Sequence, residues 1–325
     1  MKYILVIFFY VVGCNVLLSQ DKLAIKIEHL EIPKLKHNEQ VVKHIAYSLS
    51  YNEKHEQANW VAYELTNNET NSVIKRGNKF IVDPLVTTES ANNNDYLASG
   101  FDRGHLAPAA DMGWSVATME ESFYYSNMSP QMPAFNRGIW KRTEELVRKW
   151  AKIYSSIYIV TGPVLTDSLP TMGLNKVSIP KYYYKVVLDY NHSHAKAIGF
   201  VMPNEGSVEE LEHFAISIDS VEKITGIDFF PLLPDEQEDS IERTTNINDW
   251  SWSPLKQYDT KSLTQHSNSA DTLHKHNLNV VQTHENKDDV EKSNLNSVQC
   301  SGKTKKGARC KNLTKNISGK CYLHE

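Results

Sequence analysis

The sequence predicts an α+β domain. Runs of alternating apolar and polar residues read as antiparallel strands, and helix-spaced segments fall between them without a regular strand–helix rotation. The composition fits: of 325 residues, 40% are apolar and 23% charged, which is ordinary for a globular chain with a sizeable core.

After a polar lead-in at residues 20–40, residues 44–51 (HIAYSLSY) and 58–65 (ANWVAYEL) alternate and are joined by a polar loop, the pattern of an antiparallel pair. Residues 88–100 are rich in Asn, Ser and Gly and read as a loop. Residues 136–152 have helical spacing, with Leu146, Val147 and Trp150 on the apolar side. Residues 157–160 (IYIV) read as a buried strand ended by Thr-Gly-Pro. Residues 182–188 and 195–202 read as two further strands. Residues 208–223 read as a helix stopped by Gly226. This organisation places a main domain at residues 40–252. Within it the aromatic run Tyr182, Tyr183, Tyr184 reads either as packed strand or as a stacking surface for bases.

The ends read differently. Residues 1–19 combine Lys2 with an apolar stretch from Tyr3 to Gly13, too short for a comfortable membrane span, and read as an export signal. Two processing routes compete. Cleavage after Ser19 releases a soluble protein, whereas Val11-Val12-Gly13-Cys14 resembles a lipobox that leaves Cys14 as a lipid anchor. The expected location is extracytoplasmic, either secreted or anchored to a bacterial envelope. Residues 253–299 shift to Asn, Ser, Asp, Lys, Gln and His with few apolar anchors, the composition of a flexible linker. Its four histidines (His266, His274, His276 and His284) read as solvated. Residues 300–325 hold Cys300, Cys310, Cys321 and His324, a donor set that fits a tetrahedral Zn²⁺ site, although the gaps exceed common finger spacings. The alternative there is disulfide pairing, which leaves one thiol over. The basic residues of this tail suit either an anionic partner or plain solvation. The segment between Cys14 and Cys300 has no cysteine, so the main domain relies on its core. A net charge of −4 argues against a basic surface spread over the whole protein and confines any nucleic-acid contact to a groove, a metal or the tail.

The chemistry concentrates in two clusters. In FDRGHLAPAADM (residues 101–112), Asp102, Arg103, Gly104 and His105 stand side by side. A neutral imidazole takes a proton near neutral pH, Arg103 offers a planar fork of donors to phosphate, and Gly104 permits close approach of a ligand. Taken alone, His105 reads equally well as a structural histidine near a turn. In the second cluster Asn136, Trp140, Glu144 and Arg148 recur every four residues and drift along one side of a helix. The plain alternative packs Trp140 in the core and leaves Glu144 and Arg148 as a surface pair. Eight helical residues rise about 12 Å, so Asn136 and Glu144 on one regular helix do not both ligate one ion.

Together the clusters, Asp-Arg-Gly-His followed by Asn-x₃-Trp-x₃-Glu, resemble the DNA/RNA non-specific endonuclease family of ββα-metal (His-Me finger) nucleases. The resemblance runs over roughly residues 42–245 and includes 47–51, 60–63, 80–84, 95–96, 127–131, 160–163 and 225–230. It implies a ββα-metal core on a mixed, largely antiparallel sheet with flanking helices. It implies a metal-dependent endonuclease that cleaves DNA and RNA with little sequence preference, leaving a 5′-phosphate and a 3′-hydroxyl. Under it His105 is the general base, Asn136 holds one Mg²⁺ (or Mn²⁺), and Glu144 acts on the ion's water shell. Arg103 and Arg148 stabilise phosphate charge. Asp102, Asn127, Gln131 and Arg137 support the site or substrate, with Asp102 orienting Arg103 or the turn. The rival reading is a catalytically silent surface protein that binds nucleic acid on the same fold. A phosphodiesterase for small substrates is a third.

Overall fold

A computed structural model of the chain describes residues 26–88, 90–190, 195–252, 298–299 and 313–314. The expected export signal, Cys14, most of the expected linker and the ligands Cys300, Cys310, Cys321 and His324 lie outside the described residues. Among the described residues, no helix is long and apolar enough to cross a membrane.

The fold is α+β, as the alternation predicts. Seven antiparallel strands form one sheet in the order β1 (Gln40–Lys43), β2 (Ser48–Asn52), β3 (Gln57–Thr66), β6 (Ser156–Pro163), β9 (Tyr182–Asp189), β10 (Lys196–Pro203) and β11 (Ala215–Ile216). The excursion between β3 and β6 carries α1 (Asn93–Tyr96), β4 (Asp102–His105), α2 (Val116–Glu121), β5 (Met128–Gln131) and α3 (Lys141–Tyr154). β4 and β5 pair antiparallel, Asp102 opposite Gln131 and His105 opposite Met128, and α3 follows. This is the ββα unit. A short pair, β7 (Thr171–Met172) with β8 (Val177–Ser178), flanks it, and α4 (Ile218–Thr225) and α5 (Asp235–Arg243) close the chain's main unit. In the second unit, residues 258–325, β12 (Val298–Gln299) pairs antiparallel with β13 (Leu313–Thr314).

Period-two alternation sends successive strand residues to opposite faces, and both faces of this sheet are covered. On one face Val61, Tyr63, Leu65, Ile159, Tyr183 and Val187 meet Leu146, Val147, Trp150 and Ala151 of α3. On the other, Trp60, Ala62, Val160, Tyr184, Val186 and Leu188 meet Ile218 and Val221 of α4 together with Phe229 and Phe230. Trp150 anchors α3, with its ring 4.3 Å from that of Trp250 and 6.2 Å from that of Phe200. Truncating such a ring to alanine costs about 3–5 kcal/mol. Asp83 is a buried tie between loops. It accepts from Ser126 Oγ at 2.5 Å and from Leu85 N at 2.9 Å, and it lies 2.9 Å from His44 Nε2.

The structure departs from three expectations. Residues 93–96 form a helical turn within the expected loop, started by a capping box between Asn92 and Asp95. Residues 208–223 are not one helix. Ala215 and Ile216 pair with Phe200 and Gly199 as an edge strand, and Ser217 then caps α4 by accepting from Ser220 N. Gly226 does end that helix, at φ 66°. The helix expected at 136–152 begins as a π-helical segment, Phe135–Trp140, broken by non-helical geometry at Gly138 (φ −106°, ψ −110°) before α3 starts.

Candidate active site

The β4–β5 hairpin forms one wall of a cleft of about 300 Å³, and the π-helical segment with α3 forms the other. Arg103, His105, Asn136, Arg137, Glu144 and Arg148 all line it, together with Arg76, Lys141 and Glu145. The two sequence clusters, some thirty residues apart, thus meet in one place. Five cations face two carboxylates along this lining, a basic groove within an acidic chain.

His105 is 7% exposed. Its ring meets Phe123 edge-on at 4.8 Å and lies 5.9 Å from Phe80. Burial, aided by the charge of Arg76, pushes its pKa down to about 3, so the imidazole is neutral at physiological pH. Nε2 is buried and has no hydrogen-bond partner among the described residues. Such an orphaned atom costs free energy, and it is the signature of a group kept for a ligand or a proton. The chain beyond it is fixed by Asn127, which accepts from Ala107 N at 2.9 Å and donates to the carbonyls of Ala107 (3.0 Å) and Ser122 (2.8 Å). The role expected of Gly104, close approach to a ligand, needs correcting. A Cβ there would sit 2.2 Å from the Gln131 side chain, so the glycine makes room for a buried glutamine of its own hairpin.

Arg103 is held by neighbours other than Asp102. Its Nε donates to Tyr125 Oη at 3.1 Å and Nη2 to Asn93 Oδ1 at 2.6 Å. Its guanidinium lies 5.3 Å and 5.5 Å from the ring centres of Phe80 and Tyr96. Asp102 instead accepts a two-pronged bond from Arg137 (2.8 and 2.5 Å) and a bond from Asn136 Nδ2 at 2.9 Å. The expectation that Asp102 orients Arg103 is therefore replaced by orientation of Arg137 and Asn136. Burial raises the Asp102 carboxyl, but Arg137 and Asn136, with the charge of Arg103, outweigh it and hold the pKa below the usual range. An ionised carboxylate only accepts, so Asp102 fixes the Asn136 amide with Nδ2 toward itself. Oδ1 is then the amide atom offered to the cleft.

Glu144 and Arg148 are one turn apart on α3. Arg148 Nε lies 3.1 Å from Asp111 Oδ1, and Asp111 Oδ2 accepts from Tyr63 Oη at 2.9 Å. Burial and nearby Asp111 raise the Glu144 carboxyl, against the pull of Lys185, Arg148 and Arg76. Lys185 is fully buried on β9, with Nζ lacking a hydrogen-bond partner among the described residues and lying 4.8 Å over the Trp140 ring. Burial lowers its pKa, and Glu144 and Asp111 draw it back up. Trp140 is itself fully buried against Phe135 and Tyr183, so it lies beneath the cleft and not along its wall. The break at Gly138 also places Asn136 and Glu144 on different helical segments, so a single regular helix does not set their spacing. Hard oxygens from both residues suit a small divalent cation.

Sequence reasoning missed Arg76, Asp111 and Lys185. Asp111 lies in the same motif, six residues after His105, as a lone acid between Ala110 and Met112. Lys185 interrupts an apolar strand. Both are legible signals. Arg76 sits in a polar loop and carries none. Tyr183 and Tyr184 are packed strand, and Tyr182 is half-exposed. The buried trio Ser126, Asp83 and His44 is not a nucleophile triad, because Ser126 Oγ donates to the carboxylate and the imidazole also meets that carboxylate.

The family model described as DNA/RNA non-specific endonuclease matches residues 30–236. The chain is 36% identical over 206 residues to the mitochondrial nuclease EXOG of Danio rerio, covering 58% of this chain and 60% of that protein. It is 35% identical over 208 residues to nuclease C1 of Cunninghamella echinulata var. echinulata, covering 58% of this chain and 81% of that protein. Against mitochondrial endonuclease G of Bos taurus, the identity is 37% over 155 residues, covering 43% of this chain and 52% of that protein. The chain thus spans between half and two thirds of the length of these mitochondrial relatives. A solved structure of the EndoG/EndoGI complex superposes with a TM-score of 0.58 at 31% identity, over 66% of this chain and 91% of that one. The chain belongs to the DNA/RNA non-specific endonuclease family.

Proposed function

We propose that this member of the DNA/RNA non-specific endonuclease family hydrolyses phosphodiester bonds of DNA and RNA in the cleft between β4 and α3. The observation that carries the reading is the buried, neutral His105, whose Nε2 has no hydrogen-bond partner among the described residues, on the same cleft as the Asp102-oriented Asn136.

In this reading Nε2 of His105 accepts a proton from the attacking water as its oxygen bonds to phosphorus. The bond from phosphorus to the 3′ oxygen breaks, leaving a 5′-phosphate and a 3′-hydroxyl protonated from solvent. An anionic phosphate beside the ring raises the basicity that burial has lowered. Asn136 Oδ1 would hold a divalent ion, Mg²⁺ or Mn²⁺, with Glu144 acting on its water shell; when bound the ion supplies positive charge to the phosphate and polarises water. Arg103, locked between Phe80 and Tyr96, and Arg148, braced by Asp111, present charge to the phosphate oxygens where charge builds. Backbone-directed cations carry no base readout, which fits little sequence preference. The reading extends to export directed by residues 1–19 and a zinc-binding tail at residues 300–325. N-terminal mass determination and metal analysis test these two separately.

Plasmid nicking tests the core of it. The wild-type chain should relax supercoiled DNA with Mg²⁺ and stop with EDTA, and His105→Ala should lose about 10²–10⁴-fold in rate. Binding of DNA without cleavage under every metal condition would favour the silent binding protein instead.

A further inference from the structure

We propose that Asp219, Glu222 and Glu242 form a calcium site that clamps α5 onto α4, on the sheet face opposite the catalytic cleft. One carboxylate oxygen from each residue falls within 4.8 Å of those of the other two. Oxygens bound to one Ca²⁺ at 2.3–2.6 Å sit at most about 5 Å apart, whereas a Mg²⁺ shell at 2.0–2.1 Å holds them within about 4.2 Å. A bound of 4.8 Å lies within the reach of the larger ion's shell.

Glu242 supplies the independent reason to expect a ligand. It is 7% exposed, and its Oε1 is buried with no hydrogen-bond partner among the described residues. The charges facing it are Glu222 and Asp219 of α4, Asp228 of the following loop and Glu238 of its own helix, all acidic. Of the basic groups nearby, Lys34 pairs with Asp228 at 2.8 Å and its charge also reaches Glu222 and Glu238, offsetting part of this cluster, and Arg243 lies 3.7 Å from Asp239. Glu222 is already aimed, because its Oε1 accepts from Phe229 N at 2.8 Å. A divalent ion satisfies all three carboxylates at once and leaves the remaining positions to water. Asp219 and Glu222 are one turn apart on α4 and Glu242 lies in the last turn of α5, so the ion ties the two helices together.

The test uses the full chain carrying Asn136→Ala, stripped with chelator, so that the cleft does not report. Calcium is titrated by calorimetry, and melting is followed at pH 7. The expected result is one bound Ca²⁺ and a melting point raised by roughly 5 °C at a hundredfold excess over Kd. Adding Glu222→Gln with Glu242→Gln should remove both. Asp219→Asn, at a half-buried position, should fold and weaken Ca²⁺ binding at least tenfold. Equal binding in the glutamine variant, or none in the Asn136→Ala chain, would overturn the proposal.

Discussion

The two faces of the central sheet are built from the same strands yet differ in kind. On the α4 side, β9 contributes Tyr184, Val186 and Leu188 to an apolar layer. On the α3 side the same strand contributes Tyr183, Lys185 and Val187, and a buried ammonium sits beneath the cleft. Strand alternation makes this division possible, since one residue step reverses the face. One face supplies stability through contact area. The other carries buried, incompletely bonded polar groups (His105 Nε2, Lys185 Nζ and both polar atoms of Gln131) close to the cleft, whereas the α4 side has Glu242 Oε1 near its edge. Unsatisfied groups of this kind persist where function holds them.

Substitutions on adjacent residues of β9 should separate the two faces. Lys185→Met removes the charge that favours ionised Glu144. It should lower cleavage at neutral pH by about 10–100-fold and move the acidic limb of the pH–rate profile upward, because the Glu144 carboxyl rises further. Val186→Ala, one step along, should cost about 1–3 kcal/mol in urea unfolding and leave the rate of the folded protein unchanged. Loss of activity from Val186→Ala equal to that from Lys185→Met would erase the distinction between the faces.

Asp102→Asn gives a smaller effect confined to the cleft. Its amide can donate as well as accept, so the Asn136 amide loses its fixed orientation and Arg137 its charged partner. The metal concentration for half-maximal nicking should rise about tenfold or more, with a lesser change in the saturated rate. An unchanged metal requirement would remove Asp102 from the positioning role.

The smallest effect is in stability against pH. The folded-state pKa of His105 lies near 3, below the ordinary 6.5, so under about pH 6.5 the unfolded chain binds a proton that the native one refuses. Native stability therefore falls as pH drops from 6.5 toward 3. The depressed carboxyls of Asp83 and Asp102 add losses only in the lower carboxylate range. Between pH 7 and 5 the wild type should lose roughly 2 kcal/mol more than His105→Ala. Parallel curves for the two would contradict the buried neutral imidazole.

Much of this arrangement was legible beforehand. Alternation revealed the β2–β3 pair, β9 and β10, and the spacing of Asp102–His105 with Asn136–Glu144 marked the two walls of the cleft. What escaped the sequence depends on contacts between distant segments. Gly138 reads as a tolerated helix glycine until the chain bends there. Asp102 sits beside Arg103 in sequence, but hairpin geometry turns it to Arg137 and Asn136, 35 and 34 residues away. Residues 208–216 carry helical spacing, yet β10 recruits Ala215 and Ile216 as an edge strand. Tertiary pairing outweighs local propensity at each of these points.

Chemical rescue of His105→Gly addresses the central assignment most directly. With Mg²⁺ present, this variant should nick plasmid at least about 100-fold more slowly than the wild type. Free imidazole should restore part of the rate, in proportion to its neutral form. A variant that cleaves at the wild-type rate with no imidazole added would contradict the account.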